Sequence, residues 1–392
     1  MGTKFLNIRY VLMQASYWGI FCSINGYAAV YLDGKGFTAG QTGTVLALAN
    51  IIAAFLQPVA AAKADKQGRF SLKEITLTLG IVGIVSAILL CVPGLPFAAL
   101  CLLFGLGSIA IQSLQPMVNA VSMYYLNRGE RMNYGLARGF GSVTYALVSY
   151  LLGFLAGRVG ILVIPVLAAG CYLLFLLITA SFSLKQDAGK EESAAAGKPL
   201  TYPELLKRYR RFGVLLVGIA FMFIFHFMTN TYMFQMVQAV GGDSSHMGVA
   251  VCVAALSELP VMFLFGRIVK RIPAGKLLRF AAVLWAVKAV AFCFCTNVTA
   301  IYAVQLLQMV SYGLYIPASV YYANQLMEEE NKVKGQALAT MAFSVGSVFG
   351  SLLGGKLIDW YGVRAMLAAG AACTVIGAVL FFIGTAEESI KS

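Results

Sequence analysis

Twelve stretches of the chain are apolar for long enough to cross a bilayer. They fall at roughly 10–32, 41–62, 74–92, 96–126, 135–157, 160–183, 212–238, 246–269, 274–294, 298–326, 334–358 and 363–385. A helix rises 1.5 Å per residue, so about 20 residues cover the hydrocarbon core. Most connections between the stretches are short. The exception, residues 184–211, is polar, carries charges of both signs and separates two six-span halves. Within it, Tyr202–Arg211 reads as a short interfacial helix. The pattern predicts an all-α membrane protein with twelve transmembrane helices in two six-helix bundles around a central cavity. The N-terminal bundle covers 1–183, the central loop 184–211 and the C-terminal bundle 212–392.

Charge placement orients these spans. With the N-terminus in the cytoplasm, 23 of the 29 Lys and Arg residues fall on the cytoplasmic side and only Lys35, Arg158, Lys356 and Arg364 on the other. Arg138 and Lys288 lie within spans. This asymmetry is the positive-inside signature. It predicts a multi-pass protein of the cytoplasmic membrane with both termini inside. It also accounts for the net charge of +13 without a nucleic-acid partner.

Composition agrees: 60% of residues are hydrophobic and 11% charged, against about 25% charged for a soluble domain. The apolar run after Arg9 is too long for a cleavable leader and lacks a small-residue cleavage site, so it reads as the first span. The eight cysteines all lie in apolar stretches without metal-ligand spacing and read as packing residues.

Two segments repeat faintly between the halves. Span five begins at Gly135, continues Gly141-Ser142-Val143 and ends Gly153, Gly157, Gly160. Span eleven begins at Gly335, continues Gly346-Ser347-Val348 and ends Gly355, Asp359, Gly362. Internal repeats underlie many transporters. The run Gly350 to Lys356 has phosphate-loop spacing, but Leu357 stands where Ser or Thr is needed and no strand precedes it. Gly346, Gly350 and Gly354, four residues apart, read instead as a close helix-packing face. No hydrolase motif occurs, which argues against an enzyme. A solute-sensing receptor would need a signalling domain, and none is visible.

Ionisable residues deep in spans are costly unless they face a cavity or a partner. Glu258 lies 13 residues from Arg271, roughly 20 Å along its helix, and Lys288 lies 12 residues from Lys276, roughly 18 Å along the next. The two are therefore near mid-membrane, at similar height, on adjacent helices. They read as a proton-coupling carboxylate with its partner, or as a buried ion pair that locks the bundle. His226, also near mid-membrane, reads either as a carrier of the coupling proton or as a neutral packing residue between Phe225 and Phe227. Arg138 lies a turn or two inside span five, where its planar fork suits sugar hydroxyls or a carboxylate. Its alternative is to snorkel towards headgroups. Among the polar mid-span residues, which include Tyr17, Gln115, Gln308 and Tyr312, some bridge helices and some line the cavity.

Between spans two and three, Asp65, Lys66, Gly68 and Arg69 match the loop pattern Gly-x-x-x-Asp-Arg/Lys-x-Gly-Arg, with Ala61 for its first glycine. Here the chain resembles the major facilitator superfamily. The resemblance implies that this loop stabilises one face-open state. The segment Tyr134-Gly135 to Arg138, Gly141, Ser142 and Val143 is similar to the branch holding lactose permease and the phenylpropionate permease-like proteins, as are Glu258-Leu259-Pro260 and His226. That resemblance implies solute contact for Arg138, and for Asn25 and Asn119 because spans one and four line the family's cavity. Lys288 stands where the permease has an arginine. Gln308 and Ser311 stand where it has a histidine and a glutamate, so any coupling falls to Glu258 or His226 and a galactoside is disfavoured.

The expected function is proton-coupled symport of a small polar organic solute, a sugar or an aromatic or organic acid, by alternating access. The alternative is a drug/proton antiporter exporting amphipathic compounds. The assigned solute-binding residues are Arg138, Asn25, Asn119 and Lys288, and the assigned coupling residues are Glu258 and His226. No cofactor or metal is expected, only the proton as coupling ion. The expected partners are the solute and the bilayer, with the protein monomeric.

Overall fold

The computed structural model describes residues 3–65, 71–184 and 200–385. These residues are helical, in the order α1 (Thr3–Phe21), α2 (Ala28–Asp33), α3 (Ala39–Asp65), α4 (Leu72–Leu90), α5 (Phe97–Leu126), α6 (Tyr134–Val159) and α7 (Val163–Ser181). There follow α8 (Tyr202–Arg208), α9 (Arg210–Thr231), α10 (Met233–Gln238), α11 (Ser244–Ile268), α12 (Ala274–Cys293), α13 (Val298–Gln305), α14 (Tyr312–Leu326), α15 (Lys332–Tyr361) and α16 (Val363–Gly384).

Local chemistry sets the helix ends. Ser71 and Glu74 form a reciprocal capping box at the start of α4. Asn133 accepts from the Leu136 amide at the start of α6 and Asn297 from the Ala300 amide at the start of α13. α6 and α15 each stop at a glycine with positive φ, Gly160 at 100° and Gly362 at 80°, a conformation that other residues rarely adopt.

Among the described residues, nine helices are long and apolar enough to cross a membrane. The other three spans differ from simple helices for visible reasons. The first is interrupted by a π-turn, Cys22–Gly26, between α1 and α2. The ninth, α12, carries Lys276, Arg279 and Lys288 in 20 residues. The tenth is one continuous stretch in the sequence but is broken here into α13, a 3₁₀ turn at Leu306–Gln308, and α14. At that break the Ser311 hydroxyl donates to the Leu307 carbonyl, a local bond that competes with regular helix. Arg210 opens α9, so the interfacial helix expected over Tyr202–Arg211 is confined to α8.

The helices cluster into two compact units. The first holds α1–α7 with Asp243–Cys252 at the start of α11; the second holds α8–α10, the remainder of α11 and α12–α16. The two units repeat one tether. In the first, the Tyr27 hydroxyl donates to the Ser149 carbonyl of α6; in the second, the Tyr232 hydroxyl donates to the Ser351 carbonyl of α15. Each tyrosine sits at a helix break with nearly the same backbone angles, φ −105° and ψ 16° for Tyr27, φ −108° and ψ 22° for Tyr232. The expected glycine face is present in the second unit. A Cβ on Gly346 would lie 2.4 Å from the Phe223 Cβ, and one on Gly350 2.5 Å from the Ile224 carbonyl oxygen, so α15 and α9 touch backbone to backbone. Large apolar side chains such as Phe55, Phe263 and Phe294 remain exposed, as lipid-facing residues do.

Candidate functional site

Two polar groups stand out, one in each unit. In the first unit, α1, α5 and α6 line a small, partly open recess formed by Gln14, Tyr17, Trp18, Gln115, Val118, Asn119, Tyr134 and Arg138. Arg138 is its one charged lining residue. The guanidinium lies 4.1 Å from the Trp18 ring centroid and donates to the Ser142 hydroxyl at 2.9 Å. A cation over an indole is held by the ring quadrupole. The indole nitrogen donates to Gln14 at 3.2 Å, and Gln14 donates to the Tyr10 hydroxyl at 2.8 Å. Tyr134 donates to Asn119 at 3.3 Å. The Tyr17 hydroxyl is buried and has no hydrogen-bond partner among the described residues.

Gly141 explains how Trp18 comes to lie there. A Cβ at Gly141 would fall 2.3 Å from Trp18 Cδ1, so the indole rests on bare backbone of α6. Arg138 and Asn119 therefore meet in one recess. Asn25 is not among its lining residues. It sits in the π-turn and accepts from Ser108 of α5 at 2.8 Å, which in turn accepts from Gln112 at 3.2 Å. π-turns recur at functional sites because they re-aim one side chain.

In the second unit, Gln308 bridges Lys288 and Glu258. Lys288 donates to its amide oxygen, and its amide nitrogen donates to Glu258 at 2.8 Å. Lys288 and Gln308 are 4% and 5% exposed. Glu258 is partly exposed. The broken tenth span puts Gln308 in place, and Gly313 lets α11 come near: a Cβ there would lie 3.3 Å from both Cα and Cγ of Glu258. His226 stacks on Tyr312, centroids 4.3 Å apart and rings within 9° of parallel, with Trp285 edge-on at 5.6 Å. Its Nε2 is paired with the Asn230 amide at 2.9 Å.

The sequence assigns no role to Gln14, Trp18 or Trp285, and marks Gln308 only as one of several polar mid-span residues and as a departure from a relative. A usable signal existed for the first pair: Gln14 and Trp18 are four residues apart, hence on one face of α1. For Gln308 none did, because its role depends on the helix break. Of the loop residues, Asp65 is the last residue of α3, while Lys66, Gly68 and Arg69 lie outside the described residues.

Residues 6–369 match the MFS_1-like family. The chain belongs to this family of the major facilitator superfamily. It is 24% identical over 366 residues to the maltose permease of Geobacillus stearothermophilus, covering 92% of this chain and 90% of that protein. It is 22% identical over 352 residues to the uncharacterised transporter YwbF of Bacillus subtilis, covering 88% and 84%. Its fold matches a crystal structure of a mutant form of the nucleoside transporter NupG with a TM-score of 0.79, at 14% identity and over 98% and 99% of the two chains. The chain is thus a major facilitator transporter, an all-α membrane protein of twelve transmembrane helices in two six-helix bundles, and not an enzyme.

Proposed function

We propose that this transporter is a proton-coupled symporter of a small polar organic solute, with a sugar as the solute its first-unit recess suits best. The observation that carries the reading is the Glu258–Gln308–Lys288 chain. A carboxylate in the middle of a span is retained where it serves a transport or proton path, and this one is partly exposed while its partners are buried. It is the natural seat of the coupling proton, with His226 beside Trp285 and Tyr312 as the second candidate.

The recess supports the solute class. Gln14, Gln115, Asn119 and Tyr134 offer both donors and acceptors, as hydroxyl groups require. The cation Arg138 also suits the carboxylate of an organic acid. The similarity to a protein named maltose permease favours the sugar. We further propose that the protein lies in the cytoplasmic membrane with both termini inside, since 23 of 29 basic residues then lie on the cytoplasmic side.

The test is lumenal pH in liposomes holding the purified protein, with sugars, aromatic acids, nucleosides and cationic drugs added outside one at a time. Acidification by a sugar is expected. Acidification only by an acid would change the solute class, and alkalinisation by a drug would replace symport with antiport.

A further inference from the structure

A proline inside a helix deletes one backbone bond, because it has no N–H to give to the carbonyl four residues earlier. Within a membrane span the freed carbonyl has to be met by a neighbouring helix, a side chain or an ordered water. Pro116 lies inside α5, and the carbonyl it leaves without a helical donor is that of Gln112. The Gln57 side chain, from α3, donates to this carbonyl at 3.0 Å.

The gap lies at the wall of the recess. Gln115 and Asn119, one residue before Pro116 and three after it, both line that wall. The backbone ladder of α5 is thus interrupted where the helix presents two of the polar groups of the recess. Gln57 is not among the lining residues. The same turn of α5 is held from a second direction: the Gln112 side chain donates to Ser108 at 3.2 Å, and Ser108 donates to Asn25 in the π-turn at 2.8 Å. Gln112 is therefore tied by its carbonyl to α3 and by its amide, through Ser108, to the π-turn that follows α1.

We infer that Gln57 is a positioning residue for the recess: it closes the gap that Pro116 opens and so fixes the stretch of α5 that carries Gln115 and Asn119. That the recess receives the solute rests on the reading given above. A bond that merely joined two helices would matter equally whatever residue stood at position 116, whereas a bond that replaces the proline's missing donor matters only while the proline is there.

Two substitutions and their combination separate these roles. Gln57→Met keeps the length of the side chain and removes the donor. Pro116→Ala returns an N–H to the helix, so the Gln112 carbonyl regains a partner and Gln57 becomes dispensable. The readout is Trp18, which lines the recess and is one of three tryptophans in the chain. With Trp285→Phe and Trp360→Phe as the parent background it is the sole indole, and acrylamide quenching of its fluorescence reports how open the recess is. No solute is required. Variants are matched in helix content and gel-filtration behaviour, and melting temperature in detergent is read alongside.

Gln57→Met should raise the quenching constant of Trp18 in the parent and leave it unchanged beside Pro116→Ala. It should lower the melting temperature by about 2 °C, again only with Pro116 present, because an unmet buried carbonyl costs about 1 kcal/mol. Equal changes in both backgrounds, or none in either, would overturn the inference. A change in melting temperature without one at Trp18 would reduce Gln57 to a brace and overturn it as well. Should Gln57→Met alone fail to fold, recovery of folded protein on adding Pro116→Ala would uphold the inference, and continued failure would overturn it. None of these outcomes touches the solute reading of the recess, which the lumenal-pH assay tests separately.

Discussion

The guanidinium of Arg138 and the indole of Trp18 form a stacked pair, 4.1 Å from carbon to ring centroid, on the wall of the first-unit recess. The pair joins α6 to α1, and Gly141, one turn beyond Arg138, supplies the flat backbone beneath the ring. Gly141→Val should therefore displace the indole and disturb the recess. The expected effect is a rise of at least about tenfold in KM for the transported solute, equivalent to about 1.4 kcal/mol. Kinetics on reconstituted protein would measure it. An unchanged KM would show that Trp18 has no part in solute binding.

Glu258→Gln removes the titrating charge and keeps the shape. Proton-driven accumulation should be lost, while exchange of labelled for unlabelled solute persists. The two assays run side by side on the same vesicles. Full accumulation in the variant would transfer the coupling role to His226.

The matched tyrosines offer a stability test. Tyr27→Phe and Tyr232→Phe each remove a hydroxyl from a buried carbonyl, of Ser149 and Ser351 respectively. Each should destabilise the protein by about 0.5–1.5 kcal/mol. Thermal unfolding in detergent should show both losses, of similar size because the tether is the same in both units.

The glycine face of α15 predicts a sharp contrast between positions. Gly350→Val places carbon against the Ile224 carbonyl, and overpacking of this kind costs about 1–3 kcal/mol. Gly170, in α7, has nothing within 4 Å of where a Cβ would stand, so Gly170→Ala should be neutral or slightly stabilising. Melting temperatures of the two variants would check this.

Outside the membrane, Glu204 closes the capping box of α8 by accepting from the Thr201 hydroxyl and amide, which hold its carboxyl below its ordinary value of 4.5. A depressed carboxyl contributes stability above that ordinary value and loses it as pH falls through the lowered one. Amide hydrogen exchange in Tyr202–Arg208 should therefore accelerate below about pH 4 relative to the rest of the protein, after correction for intrinsic rates. Glu204→Gln should weaken this acid dependence.

The number of spans and the glycine face were legible in the sequence because they follow from composition and period. A bilayer demands about 20 apolar residues per crossing, and helices that touch need small residues every fourth position. The polarity of the ionisable residues also marked them: Glu258, Lys288, His226 and Arg138 are conspicuous in apolar stretches. Their partners were not legible. Gln308 meets Glu258 and Lys288 only because the tenth span breaks between Gln305 and Tyr312, and hydropathy alone does not distinguish a broken span from a straight one. Trp18 lies under Arg138 only because Gly141 admits it, and Asn25 turns to Ser108 only because a π-turn adds a residue to α1. Sequence by itself determined what kind of solvent this chain requires and which residues are too polar to be idle there. Tertiary structure decided which of them touch, because contact distances depend on helix breaks and on backbone approaches of a few ångströms that no local pattern encodes.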